Sequence, residues 1–221
     1  MTQEDPLAWF VRAATKLHTL WLQWTYPFAS FGKGIRAHLG CRVTWAAARH
    51  IHLGDGVILG RGVRIDVCPN PGADPPVLIL EKGTGVQRRC AISVQNRVHV
   101  MQHVIMGPGA VVMDHSDGLG HSTEPAGRQK EAGKGTIRIE EGCWIGSRAR
   151  IVCEQGELII GRHSVVGANC LITQNIPCYS VVMGDPPSIV KQYDYSKCKW
   201  VMGCIRTVYR RESEPNASAL S

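Results

Sequence analysis

The sequence predicts a left-handed parallel β-helix, an all-β coil of short strands preceded by a short helix and followed by a C-terminal extension. Three observations predict it. An aliphatic residue followed by glycine returns every six residues, as in Leu53-Gly54-Asp55-Gly56-Val57-Ile58 and then Leu59-Gly60-Arg61-Gly62-Val63-Arg64. The units stand in tandem and in phase. Ile139-Glu140-Glu141-Gly142-Cys143-Trp144 runs into Ile145-Gly146-Ser147-Arg148-Ala149-Arg150, and Ile160 to Val165 runs into Val166-Gly167-Ala168-Asn169-Cys170-Leu171. Finally, aromatic residues make up only 6% of the chain, and its middle is built from Val, Ile, Leu and Gly, which suits short strands joined by tight corners.

A six-residue period matches neither the 3.6 of a helix nor the alternation of a simple strand. It arises when each short strand ends in a corner and the next strand turns onto a new face. The aliphatic first residue and the small fifth residue (Val57, Val63, Ala110, Cys143, Ala149, Ser164, Cys170) are expected to point inward. Glycine, Asp or Asn at the second to fourth places are expected to serve the bend, where a positive φ is wanted. Stacked coils then pair their strands in parallel around one aliphatic column. A Gly-rich antiparallel sandwich would need this spacing to be coincidence, and the tandem pairs argue against it.

In chain order, residues 1–36 are expected to form an N-terminal helical segment. Leu7, Phe10, Val11, Leu17, Leu20, Trp21 and Trp24 recur there at helical spacing before Pro27, and this face is expected to pack on the first coil or on a neighbouring subunit. A membrane-surface role for Trp21, Trp24 and Tyr26 is the less favoured reading. Residues 37–192 form the coil, interrupted by a Pro/Gly-rich loop at Cys68–Val77, a long polar excursion at 114–136 and a small insertion at 153–158. Residues 193–221 form a C-terminal extension whose end is expected to lack order.

The composition narrows the partners. A net charge of +7 favours anions, from nucleic acid to a phosphate-bearing cofactor. No RNP-like aromatic motif, zinc finger or helix-turn-helix pattern accompanies the basic residues, so nucleic acid is not expected. The nine cysteines include no Cys-x-x-Cys pair, and Cys41, Cys90, Cys143 and Cys170 fall on in-pointing places where a thiol acts as a small apolar filler. Glu4 and Asp5 precede the first apolar run, unlike a signal peptide, and no apolar stretch approaches the roughly 18 residues of a membrane span. Reduced thiols and a cytoplasmic location are the expectation.

Several motifs follow one another from about Gly40 to Gln192: Gly107-Pro108-Gly109, Asp114-His115-Ser116-Asp117, Pro125-Ala126-Gly127-Arg128-Gln129, Cys143-Trp144-Ile145-Gly146-Ser147, and Gly184-Asp185-Pro186-Pro187-Ser188-Ile189-Val190-Lys191. In this order they resemble the hexapeptide-repeat acetyltransferases that modify hydroxyls of sugars and polysaccharides. The resemblance covers about two-thirds of the chain. It implies acetyl transfer from acetyl-CoA to a saccharide or other small-molecule acceptor, in a homotrimer whose active sites lie between coils, with no metal. A sugar hydroxyl is a poor nucleophile near neutral pH, and a histidine is suited to take its proton.

By the resemblance His115 is the candidate base. Relatives of this type carry a second histidine where this chain has Asp117, so His121 is the alternative base. Asp114, Asp117 or Gln129 would orient the imidazole or hold the acceptor. Coenzyme A would run along a groove lined by Gly146, Ser147, Ala168 and Thr173, with a backbone N–H near Gly146 and Ser147 facing the oxyanion and Lys191 facing the phosphates. Trp144 is expected to be a packing anchor at a coil corner. Two other functions stay open: a zinc-dependent carbonic-anhydrase-like coil using His99, His103, His115 or His121, and a non-catalytic coil used for assembly.

Overall fold

A computed structural model of the chain describes residues 6–68, 77–115 and 134–207. Its centre is a coil with three sheets. The first holds Ser30–Phe31, Ile51–Leu53, Leu78–Leu80, Arg97–Val100, Lys134–Ile139 and Gln155–Ile160. The second holds Arg36–Ala37, Ile58–Leu59, Gly85–Val86, Ile105–Met106, Trp144–Ile145, Val165–Val166 and Ser180–Met183. The third holds Arg42–Val43, Arg64–Val67, Ala91–Val94, Val111–Met113, Arg150–Val152 and Leu171–Ile172. These strands pair in parallel, and the chain visits the three sheets in turn, so the fold is the left-handed parallel β-helix that the repeat predicts.

The in-pointing places form one aliphatic column. Leu53, Leu59, Leu80, Met106, Ile139, Ile145, Ile160 and Val166 are buried, and so are the small fifth residues Val57, Val63, Ala110, Cys143, Ala149, Ser164 and Cys170. Burial pushes the Cys41 and Cys143 thiols up to about 11, which keeps them neutral fillers at ordinary pH.

The corners separate two jobs that the sequence pattern merges. The fourth place of each unit takes a left-handed backbone, at Gly56, Gly62, Gly83, Gly109 and Gly142, and also at His103, Arg89, Arg148, His163 and Asn169. The second-place glycine is there for a close approach instead. A Cβ on Gly60 would stand 2.6 Å from the N of Arg88 in the next coil.

Two of the three corners repeat as tight hexapeptide turns. The corner from the third sheet to the first is the irregular one: it holds the 3-10 turn Trp45–His50, and residues 69–76 and 116–133, which fall between third-sheet and first-sheet strands in the sequence, lie outside the described residues. The insertion expected at 153–158 is no loop. Gln155–Ile160 pairs along its whole length with Lys134–Ile139, so the extra residues lengthen two stacked strands.

Helix α1 spans Pro6–Thr25 and covers the open edge of the first coil. It does so with Thr15, Thr19 and Leu22, not with the apolar face that the sequence pattern suggests. The physical reason is hydrogen bonding. The edge strand Arg36–Ala37 presents backbone groups without a further strand to meet them. Thr19 Oγ1 accepts the N–H of Ala37 at 2.9 Å, and His18 Nδ1 meets the Ala37 carbonyl at 3.0 Å.

The coil begins at Ser30, ahead of residue 37, because Ser30–Phe31 pairs with His52 and Leu53 without carrying the aliphatic–glycine signature. At its far end the chain reverses through Gly184 and a cis Asp185–Pro186 bond into antiparallel strands Ser188–Asp194 and Lys199–Thr207, the first of which crosses residue 192. The end of the C-terminal extension lies outside the described residues.

Candidate active site

The irregular corner holds the candidate site. Strand Val111–Met113 ends in Asp114 and His115, both buried, immediately before residues 116–133 in the chain. One coil earlier the same corner is closed by only Gln95 and Asn96 between Ala91–Val94 and Arg97–Val100. That short turn points three successive N–H groups at the Asp114 carboxylate. Gln95 donates to Oδ1 at 2.8 Å, and Asn96 and Arg97 donate to Oδ2 at 2.7 and 2.9 Å. A buried carboxylate needs such donors to remain ionised, and here they come from a backbone turn.

His115 Nδ1 lies 2.9 Å from Asp114 Oδ1. An ionised carboxylate accepts and cannot donate, so Nδ1 carries the proton and the lone pair sits on Nε2. The Ser93 hydroxyl, on the neighbouring strand, lies 3.3 Å from Nε2. The result is an oriented imidazole whose basic nitrogen meets a hydroxyl, the arrangement that general-base chemistry requires. Asn96 Nδ2 also donates to the Gly135 carbonyl at 3.2 Å, tying the short turn to the strand on which the excursion returns. A side chain at 135 would collide with the Asp114 carbonyl, at 2.9 Å from its Cβ.

The other predicted site residues occupy several places. Asp117, His121 and Gln129 lie outside the described residues. Thr173 follows strand Leu171–Ile172 at the same corner as Asp114 and His115, two coils further on, and is exposed. Gly146 and Ser147 sit at a different corner, between the second and third sheets, directly below Gly167 and Ala168: a Cβ on Gly146 would meet the Ala168 N at 2.6 Å. The Gly146 N–H is spent on the Val166 carbonyl at 2.8 Å, which leaves the Ser147 N–H as the donor of that pair. Lys191 is exposed, paired with Val181 on the strand after the coil.

Trp144 is not a corner anchor. It stands in a strand of the second sheet, 56% exposed, because it holds the outward place beside the buried Ile145. Two contributors went unforeseen: Ser93, and the Gln95–Arg97 turn that holds Asp114. Their only sequence signal is the lack of an insertion between Val94 and Arg97, where adjacent coils have one.

Of the histidines considered for zinc, His99, His103 and His115 do not converge, and His121 lies outside the described residues. His99 Nε2 is bonded to Glu81 Oε1 at 2.6 Å on the first sheet, and His103 is at the corner between the first and second sheets. Among the described residues no group of three His, Cys, Asp or Glu could hold a metal ion. Nor is any described helix long and apolar enough to cross a membrane.

The sequence and the fold are similar to those of known acyltransferases. The chain is 28% identical over 130 residues to the serine acetyltransferase of Escherichia coli K12, covering 50% of this chain and 46% of that protein. It is 30% identical over 126 residues to the galactoside O-acetyltransferase of Lactococcus lactis, covering 52% and 58%. The chain is thus similar, over about half its length, to acetyltransferases, and in fold to hexapeptide-repeat acetyltransferases. It spans about half the length of the curated relatives it matches. No protein-family model matches it.

Solved structures of such acyltransferases share the fold. The N-acyltransferase AntD from Bacillus cereus, in complex with dTDP and 3-hydroxybutyryl-CoA, superposes with a TM-score of 0.62 at 14% identity, covering 82% of this chain and 89% of that one. A hexapeptide-repeat acetyltransferase from Vibrio cholerae superposes with a TM-score of 0.54 at 19% identity, covering 87% and 84%.

Proposed function

We propose that this chain moves an acetyl group from acetyl-CoA to a hydroxyl of a saccharide, with His115 as the general base. The observation that carries this is the Asp114–His115 pair, which orients the imidazole and leaves Nε2 as the basic nitrogen, 3.3 Å from the Ser93 hydroxyl. In the proposed reaction Nε2 takes the acceptor proton as its oxygen attacks the thioester carbonyl. The new C–O bond forms, charge develops on the carbonyl oxygen, and the Ser147 N–H of a neighbouring copy receives it. Collapse breaks the C–S bond, and the departing thiolate takes the proton back from His115. Base catalysis of this kind contributes a hundred- to ten-thousandfold, and holding both substrates in a ternary complex supplies much of the rest. The name of one relative, galactoside O-acetyltransferase, fits an oxygen acceptor on a sugar.

Gly146, Ser147 and Ala168 stand at a different corner from the base, whereas Thr173 stands at the base's own corner two coils further on. Ser147 stacks on Pro108, and six residues, up to about 20 Å of extended backbone, separate Pro108 from Asp114. The part of the proposed coenzyme A groove lined by Gly146, Ser147 and Ala168 therefore meets His115 across a junction between copies, with Thr173 lining the groove at the base's corner and Lys191 toward the phosphates. A homotrimer supplies three such junctions.

Replacing His115 by Ala is expected to cut turnover of acetyl-CoA with a saccharide acceptor by a hundred- to ten-thousandfold while coenzyme A affinity, measured by calorimetry, stays nearly constant. Turnover equal to that of the unaltered chain would overturn the assignment.

A further inference from the structure

Helix α1 turns its polar side to the coil and its aromatic side away. Thr15, Thr19 and Leu22 are buried against the first coil, whereas Trp9, Phe10, Leu17, Leu20, Trp21 and Trp24 are 44–87% exposed. Projected at 100° per residue, those six fall within about 120° of the helix circumference, opposite the buried stripe. A contiguous aromatic face of this kind marks an interaction surface.

Charge says what covers it. From Pro6 to Thr25 the helix carries Arg12 and Lys16 and no Asp or Glu. Between this helix and the first coil runs a groove of about 800 Å³ whose lining includes Lys16, Lys33 and Arg36 and, among the described residues, no carboxylate side chain. Asp55 touches this rim only by accepting the backbone N–H of Lys33. The chain as a whole is +7. The face also points off the end of the coil, away from the flanks through which coils standing side by side would meet.

We propose that α1 docks the protein on an anionic phospholipid surface. The helix lies in the interface with Trp9, Trp21 and Trp24 among the acyl-chain boundary and headgroups, and the cations of the groove meet lipid phosphates. Aromatic residues on one face with Lys and Arg beside them are the composition of interfacial helices, and the length and polarity of α1 allow it to lie on a bilayer but not to cross one.

Flotation of the full chain with unilamellar vesicles tests this. The chain is expected to float with phosphatidylcholine–phosphatidylglycerol vesicles at about 0.1 M salt, and to float far less with phosphatidylcholine alone or at about 0.5 M salt. The pair Leu17→Glu and Trp24→Glu is expected to lower partitioning at least tenfold. Lys16→Glu with Lys33→Glu is expected to lower it about fivefold or more per cation. All four side chains are exposed, so the melting temperature and acetyl transfer should be unchanged in both variants, which keeps this test separate from that of the proposed activity. No flotation, or flotation indifferent to lipid charge and salt, would overturn the proposal. So would a fall in oligomer mass in Leu17→Glu/Trp24→Glu with flotation intact, which would mark the face as a contact between copies.

Discussion

Asp114 does two things at one atom pair. Its Oδ2 accepts Asn96 and Arg97, and its Oδ1 accepts Gln95 and the imidazole of His115. An amide at this position has the same shape but only one acceptor oxygen. Whichever way it turns, its NH2 faces at least two donors, and buried donors without acceptors cost about 1–3 kcal/mol each. Asp114→Asn is therefore expected to lower stability by about 2–4 kcal/mol in a denaturant titration and to lower turnover as well, because Nδ1 loses its acceptor. An unchanged midpoint would mean that the turn is held by something else. Asp114 and His115 could be read from the sequence because both residue types announce chemistry and stand where the repeat stops. Gln95, Asn96 and Arg97 could not, because they act through backbone N–H groups. Ser93 could not either, since its place beside His115 depends on which residues stack between coils.

At the scale of the element, the repeat was readable and the reason for each glycine was not. Gly60 and Gly62 belong to the same unit, yet they meet different constraints. A Cβ on Gly60 would press on the Arg88 N at 2.6 Å and the Gln87 carbonyl carbon at 2.7 Å, both backbone atoms of a stacked coil. A Cβ on Gly62 would meet nothing closer than Arg89 Cγ at 3.7 Å, and there the penalty is the left-handed φ of +71°. Gly60→Ala is expected to destabilise by about 2–3 kcal/mol, as overpacking does, and Gly62→Ala by about 1 kcal/mol. Thermal or chemical denaturation of the two variants decides it, and the reverse order would contradict the division of roles. Helix α1 shows the limit of pattern reading in the other direction. Its amphipathicity was plain, but apolarity alone does not name the side that meets the coil, because the open edge of a parallel coil needs hydrogen-bond partners more than it needs leucines.

At the scale of the whole molecule, the outward face of the second sheet distinguishes itself from the other two. Ile58, Gly85, Ile105, Trp144, Val165 and Val181 stack along it in register, with Lys191 beyond. The first sheet shows His52, Ile79, His99, Arg138 and Ile159 outward, and the third runs Arg42, Arg64, Ala91, Val111, Arg150 and Leu171. Among the described residues only the second sheet offers an apolar column, running from Ile58 to Val181 between Arg36 and Lys191, and it borders the corner that carries Ser147 and Ala168. Copies packed through this face would bring that corner toward a neighbour's His115, which is the junction the proposed chemistry needs. Ile105 and Trp144 are 41% and 56% exposed in the single chain, so changing both to Glu leaves each coil's own core intact. Ile105→Glu/Trp144→Glu is expected to give a folded monomer by light scattering and circular dichroism, with acetyl transfer lost although His115 and Asp114 are untouched. A trimer that persists in this variant would assign the contact to another face. A monomer that keeps full turnover would mean that one coil completes the site alone, and the division of base and cofactor stripe between copies would fall with it.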